Sequence, residues 1–269
     1  MGQELTILKL GGSVITIKAQ PYTANSEAIK RLAGEIHRAN IKPLIIVHGG
    51  GSYGHPTAAK YRIKEGYKEP SQAMGFSETH QAMVALNKMV LDALIREEVP
   101  AVTVQPSAFI LTDKGRIRSM ETDVILTLLE LGITPVLYGD VVLDSTLGFT
   151  ILSGDQLVSS LAIKLGADRI IMGIDVDGLY TADPKVNPSA RLIPHLTPQE
   201  LRSLQQKIEE VQVTDVTGGM LGKILELMPA VMQGIKAIIV NASKPNNLYR
   251  VLKGRKVPGT IIEASENVA

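Results

Sequence analysis

Lys9 stands near the end of a short apolar run, one residue before two glycines, in "KLGGS" at residues 9–13. A lysine ammonium is a point charge for phosphate, and glycines let backbone N–H groups approach an anion closely. Related combinations recur along the chain. "PLIIV" runs into "HGGGSYGHP", His48 to Pro56, which sets three glycines at the end of an apolar run and His55 where a helix is expected to begin. Pro56 suits a first helical turn, and a helix N-terminus favours an anion. "SGDQ", at 153–156, offers Gly154 and the carboxylate of Asp155 at another helix start. "DVTGGMLGK", at 215–223, sets Gly218 and Gly219 ahead of Lys223, which lies one turn into a helix.

Each cluster also has a plainer reading: a tight turn, a cap supplied by Ser153 or Asp155, or a helix N-terminus with an exposed lysine. His48 reads as a satisfied histidine at a strand end. His55, among glycines at an expected helix start, is poorly placed for a core role and stays open between ligand contact and bystander. Taken together, the clusters hold more phosphate machinery than a dinucleotide needs. They suit a donor triphosphate lying end to end with an anionic acceptor, and so phosphoryl transfer, where positioning and charge neutralisation do most of the catalysis.

Two other classes compete. Gly49, Gly51 and Gly54 satisfy the G-x-G-x-x-G spacing of a nicotinamide dinucleotide turn, with Glu69 placed for the ribose hydroxyls. That reading leaves "KLGGS" and "TGGMLGK" unexplained and puts the turn after the second strand. A non-catalytic nucleotide-binding protein would have no need of Lys9, Lys18, Asp155 and Lys223 together. "DVTGGMLGK" is not a Walker A loop, because Thr217 stands where that loop needs glycine.

Short apolar runs alternate with amphipathic ones, and this alternation must position those groups. "LTILKL", "PLIIV", "AVTVQP", "TPVLYGD", "ADRIIMGI" and "IKAIIV" read as strands. Helical patterns lie between them. In "SEAIKRLAGEIHRAN", Ile29, Leu32, Ala33 and Ile36 share one face, and "ETDVILTLLELG" is closed by Gly132. "SETHQAMVALNKMVLDALIREE" reads as a long helix, and "TPQELRSLQQKIEE" opens with a helix-start signal. "VVLDSTLGFTI" reads as a hairpin around Asp144–Gly148, and "LTDKGRIR" as a polar loop. The expected fold class is α/β: a three-layer αβα sandwich with one open, mainly parallel central sheet. Ligands then gather beyond the carboxyl ends of the strands.

The chain's 269 residues suffice for a single such domain. Lys plus Arg number 28 against 27 acidic residues, so no basic field favours nucleic acid or an anionic membrane. There is no cysteine, which excludes thiol chemistry and a thiolate zinc site. No apolar run approaches a membrane span of about 18 residues. A cytoplasmic protein is expected.

The ordered set "KLGGS", "VHGGGSYGH", "SGD", "DVDGLY" and "DVTGGM..K" resembles the amino acid kinase superfamily. Within it, "LKLGGSVIT.K" with "HGGGSYGHP" is similar to the isopentenyl phosphate kinases, the histidine after the glycine turn being the discriminating feature. The resemblance implies transfer of the ATP γ-phosphate to isopentenyl phosphate, with Mg²⁺, giving isopentenyl diphosphate for isoprenoid synthesis of the mevalonate type. It implies a homodimer. It assigns Lys9, Lys18 and Lys223 to the phosphates, Asp155 to orienting lysines, and Gly50, His55 and Gly154 to the acceptor. Gly11, Gly12, Gly51, Asp175, Gly178, Tyr180, Gly218 and Gly219 fall to ATP. On this assignment the first 150 or so residues form the acceptor side and the remainder the nucleotide side. No residue is assigned to a metal. Sister kinases for uridylate, acetylglutamate, glutamate or carbamate would share all but His55 and an apolar slot. For that slot the long helix offers Phe76, Met83, Leu86 and Val90. Their spacing is plain helix core, and only Phe76 and Met83 are taken as contacts for a prenyl tail. Gln156 departs from relatives that carry a second acidic residue after "SGD".

Overall fold

The computed structural model describes residues 4–182, 184, 186–203 and 220–264. Its centre is an eight-stranded sheet in which β1 (Thr6–Leu10) is flanked by β2 (Leu44–His48) and β9 (Arg169–Ile174). Beyond β2 lie β6 (Thr134–Tyr138) and, at the edge, β3 (Ala101–Thr103). Beyond β9 lie β11 (Lys236–Asn241), β12 (Gly259–Ile262) and β10 (His195–Leu196). All pairings are parallel except that of β11 with β12. Strands buried on both faces read as continuous apolar runs, which is how "TILKL" and "LIIVH" read.

Period-two alternation sorts the strand residues between two cores. Ile7, Ile45, Val47, Leu137 and Met172 face one side, where they meet α6 (Gly154–Leu165) and α7 (Met220–Val231). Leu8, Leu10, Leu44, Ile46 and Val136 face the other. That side is covered by α2 (Ser26–Ala39), α4 (Ser71–Arg96) and α8 (Asn247–Leu252). The expected stripe of α2, Ile29, Leu32, Ala33 and Ile36, is buried there. The result is the three-layer αβα arrangement.

Two elements differ from the sequence reading. "LTDKGRIR" is a β-hairpin, β4 (Ile110–Asp113) and β5 (Arg116–Met120), because Gly115 at φ +77° and Lys114 at φ +50° close a tight turn. It joins the expected hairpin, β7 (Asp140–Asp144) and β8 (Gly148–Leu152), in a second, four-stranded sheet of order β5-β4-β7-β8. The described residues therefore form two sheets where one was expected. "AVTVQP" is strand only over β3, after which Pro106 begins a 3₁₀ turn. The helix expected from "TPQEL" is present over 198–203, capped by Thr197 and Glu200. Its continuation lies outside the described residues. Among the described residues no helix is long and apolar enough to cross a membrane.

Candidate active site

The carboxyl ends of the central strands are level: Leu10 pairs with His48, and His48 with Tyr138. The chain leaves each strand through glycine. α1 (Gly12–Ile15) follows β1, and α3 (Gly51–Lys60) follows β2. These two turns interlock. A Cβ on Gly12 would stand 2.4 Å from the Gly51 nitrogen, and one on Gly51, at φ +48°, would stand 2.1 Å from Thr16 Oγ1. Only glycine permits so close a crossing. Above it opens a cleft of about 570 Å³ lined by both turns, the α6 start and the segment after β9.

Lys9 has the parity of Ile7, so its side chain points to the α6 and α7 face. There Lys9 Nζ lies 2.5 Å from Asp155 Oδ1, and Lys223 Nζ 3.1 Å from Asp155 Oδ2. Asp155 is free for this task because Ser153 caps the helix, its Oγ accepting from the Gln156 N–H at 3.1 Å. Burial pushes the Asp155 carboxyl up, yet the two ammonium groups outweigh it and hold the carboxyl below its ordinary value. Burial pushes the Lys9 ammonium down, Lys223 pushes the same way, and Asp155 opposes both. One carboxylate thus aligns two cations that would otherwise repel.

Lys18 lines the same cleft from a strap at residues 16–24. A Thr16–Ala24 bridge closes the strap, and the Tyr22 N–H, donating to Ser52 O at 2.9 Å, ties it to α3. His55 also lines the cleft and is exposed. Its pKa is lowered by partial burial and then by the nearby charges of Lys223, Lys18 and Lys9. The helix carrying it starts at Gly51, so His55 lies in its second turn and not at its start. His48 has the opposite parity to Lys9. It is buried, its Nε2 donates to Asn87 Oδ1 at 3.2 Å, and burial lowers its pKa to about 4. The strand-end histidine is structural.

Gly11, Gly12, Gly50, Gly51 and Gly154 line the cleft, as do Asp175, Gly178 and Tyr180. Ser13 Oγ donates to Asp175 Oδ1 at 2.9 Å, so the turn after β1 meets the segment after β9. Gly218 and Gly219 lie outside the described residues. Met83 lines the cleft, its Sδ 2.9 Å from where a Cβ on Gly50 would stand. Phe76 does not: it packs behind the wall against Phe149, ring centroids 5.5 Å apart. Leu86 and Val90 are core. Thr79, Ile151 and Asp140 line the cleft and went unread in the sequence, although "YGD" after β6 obeys the same strand-end rule as "KLGGS". Gln156 sits outside the lining and spans to the β4–β5 turn, accepting from Ile117 N–H at 3.0 Å and donating to Gly115 O at 3.1 Å. A glutamate could not make the second bond. Glu69, the ribose partner of the dinucleotide reading, pairs with Arg62 and Ser71 away from the cleft.

Fold and cleft together define a class: an αβα protein with glycine turns and two carboxylate-paired lysines at a cleft beyond the strand ends. The sequence pattern of the amino acid kinase family matches residues 4–241. The isopentenyl phosphate kinase of Methanothermobacter thermautotrophicus is 44% identical over 266 residues, 96% of this chain and 98% of that protein. That of Methanocaldococcus jannaschii is 36% identical over 97% of this chain and 100% of its own. An X-ray structure of an isopentenyl phosphate kinase, 42% identical, superposes with a TM-score of 0.85 over 96% of this chain and 100% of that one. The chain belongs to the amino acid kinase family, in its isopentenyl phosphate kinase branch.

Proposed function

We propose that this enzyme transfers the γ-phosphate of ATP to isopentenyl phosphate, giving isopentenyl diphosphate and ADP. The observation that carries the reading is the Lys9–Asp155–Lys223 cluster in a cleft that also holds His55 and the apolar side chains of Met83 and Ile151. A phosphate monoester carries about −1.5 to −2 charges near neutral pH, and its oxygen attacks without a general base. The barrier is repulsion between two anions, which preorganised cations and N–H donors lower. In this reading Lys9 and Lys223 hold the transferring and bridging phosphates, and Lys18 follows the moving charge. His55, whose pKa is lowered by burial and then by its cationic neighbours, donates an N–H to the acceptor phosphate with Gly50 and Gly154. Gly11, Gly12, Gly51, Asp175, Gly178, Tyr180, Gly218 and Gly219 serve ATP. The first half of the chain is then the acceptor side and the second half the nucleotide side.

Mg²⁺ would neutralise phosphate charge, bound chiefly by the nucleotide's own oxygens and water. The central donor set suits that mode, since both Asp155 oxygens are already engaged by ammonium groups. A prenyl tail would lie against Met83, with Phe76 buttressing the wall from behind. The reading also makes the enzyme a cytoplasmic homodimer; Val124, Leu126 and Leu131, exposed on and just after α5 (Asp123–Glu130), support an apolar contact. Sedimentation velocity checks the dimer.

The test of the activity is an ADP-release assay across isopentenyl phosphate, dimethylallyl phosphate, UMP, acetylglutamate and carbamate. The highest kcat/KM is expected with isopentenyl phosphate. A higher value with UMP or acetylglutamate would overturn the assignment in favour of a sister kinase.

A further inference from the structure

A buried carboxylate in the wall of a cleft built for two anions demands a reason. Asp140, the first residue of β7, is 2% exposed and lines the cleft. His80 Nδ1 lies 3.0 Å from its Oδ2 and 3.1 Å from its Oδ1. His80 follows Thr79, which lines the cleft one helical turn before Met83. The pair therefore sits at the end of the cleft that α3 and α4 enclose. The groups facing Asp140 come from every element around it. Ser107 bonds its carboxyl and Gln105 bonds His80, both from the segment after β3, and Gln105 Nε2 donates to Ser107 Oγ at 2.9 Å. Tyr138 is the nearby phenol on β6, and the Val141 N–H donates to Asp140 Oδ1 at 2.8 Å.

We infer that His80 is a positioning residue for the acceptor: as a cation paired to Asp140, it cancels the one negative charge in that wall and turns the carboxylate away from the incoming phosphate. Two buried charges persist together only when paired and hydrogen-bonded, and removing one partner leaves the other uncompensated. Burial pushes the Asp140 carboxyl up and His80 pulls against that rise, while the bond to Asp140 raises His80. Among the described residues no other cation pairs with Asp140: Lys9 and Lys223 are committed to Asp155. The acceptor phosphate thus meets a neutral wall on one side and the lysines on the other.

The inference rests on the phosphate-acceptor reading, and the experiment separates the two. Wild type that ignores isopentenyl phosphate fails that reading whatever His80 does; the pair is then tested with whichever monophosphate the wild type turns over. His80→Ala is expected to raise the acceptor KM about tenfold or more, with the ATP KM within about twofold, because an unpaired buried charge opposes only the nearby anion. His80→Gln, which keeps volume and a hydrogen bond, is expected to move KM in the same direction and guards against misfolding of the alanine variant. Adding Asp140→Asn to either is expected to bring the acceptor KM back toward wild type. An acceptor KM unmoved in both single variants would overturn the inference. So would a rise that survives Asp140→Asn, or an equal rise for both substrates, since each marks a purely structural role.

Discussion

The two sheets divide the labour of the cleft. The eight-stranded sheet ends in charge: Lys9 at the close of β1, backbone amides in the interlocked glycine turns, and Asp155 just beyond. The four-stranded sheet lends the cleft Ile151 and Leu152 from β8 and the neutralised Asp140 from β7. It contributes no free cation among the described residues that line the cleft. Parallel strands aim helix starts and loops at one edge, where partial positive charge accumulates. An antiparallel hairpin has no such edge and offers a shaped surface instead. On the proposed reading the difference teaches where charge is useful: cations where the two phosphates would meet, and a neutral, partly apolar wall where the acceptor would enter.

Breaking the charged side should have the largest effect. Lys9→Met is expected to lower kcat by about 10²–10³-fold, as loss of a preorganised charge contact does, measured by initial rates of ADP release. A loss below tenfold would place the chemistry elsewhere. On the proposed reading His55→Ala removes a hydrogen bond to a charged group worth about 1.5–3 kcal/mol, so kcat/KM for the acceptor should fall roughly 10- to 100-fold. Because the residue is exposed, the thermal midpoint should hardly move.

Perturbing the second sheet should cost stability before activity. Asp144 accepts from Thr112 Oγ1 and from the N–H groups of Lys114, Gly115, Thr146 and Leu147, so it pins the turns of both hairpins. Asp144→Ala should lower unfolding free energy by about 1–3 kcal/mol in urea, the cost of leaving such donors unpaired. Burial pushes this carboxyl up, but those hydrogen bonds outweigh it and draw its pKa down to about 2. A depressed carboxylate contributes stability that is present above its unfolded value of 3.8 and is lost as pH falls toward about 2. Urea midpoints of wild type should drop across that window, and Asp144→Ala should flatten the drop. The smallest change in turnover is expected from Gln156→Glu. It replaces the hydrogen bond to Gly115 O by a buried carboxylate facing that carbonyl, a stability cost of about 1–3 kcal/mol, while the side chain bonds Ile117 and Gly115 away from the cleft. A large loss of turnover there would show that the second sheet governs the charged side as well.

Much of the fold was legible because strand and helix periodicities are local. The buried stripe of α2, the β7–β8 hairpin and the glycine ends of β1 and β2 follow from nearest neighbours along the chain. The β4–β5 hairpin was not, since its polar turn looks like any loop until β7 offers a partner. Phe76 and Met83 carry the same helical signal, and only the position of β8 decides which of them meets the cleft.

The amino acids in order determined that lysines, glycines and a carboxylate stand at strand and helix ends, because those ends are written in short-range pattern. They also determined the parity that sends Lys9 to one face of β1 and His48 to the opposite face of β2. Only the tertiary structure decided that Lys9 meets Asp155 across 146 positions and Lys223 meets it across 68. It alone paired His80 with Asp140. Such meetings depend on strand order and on which helix covers which face, and these are set by burying the whole apolar surface at once, a quantity no single segment contains.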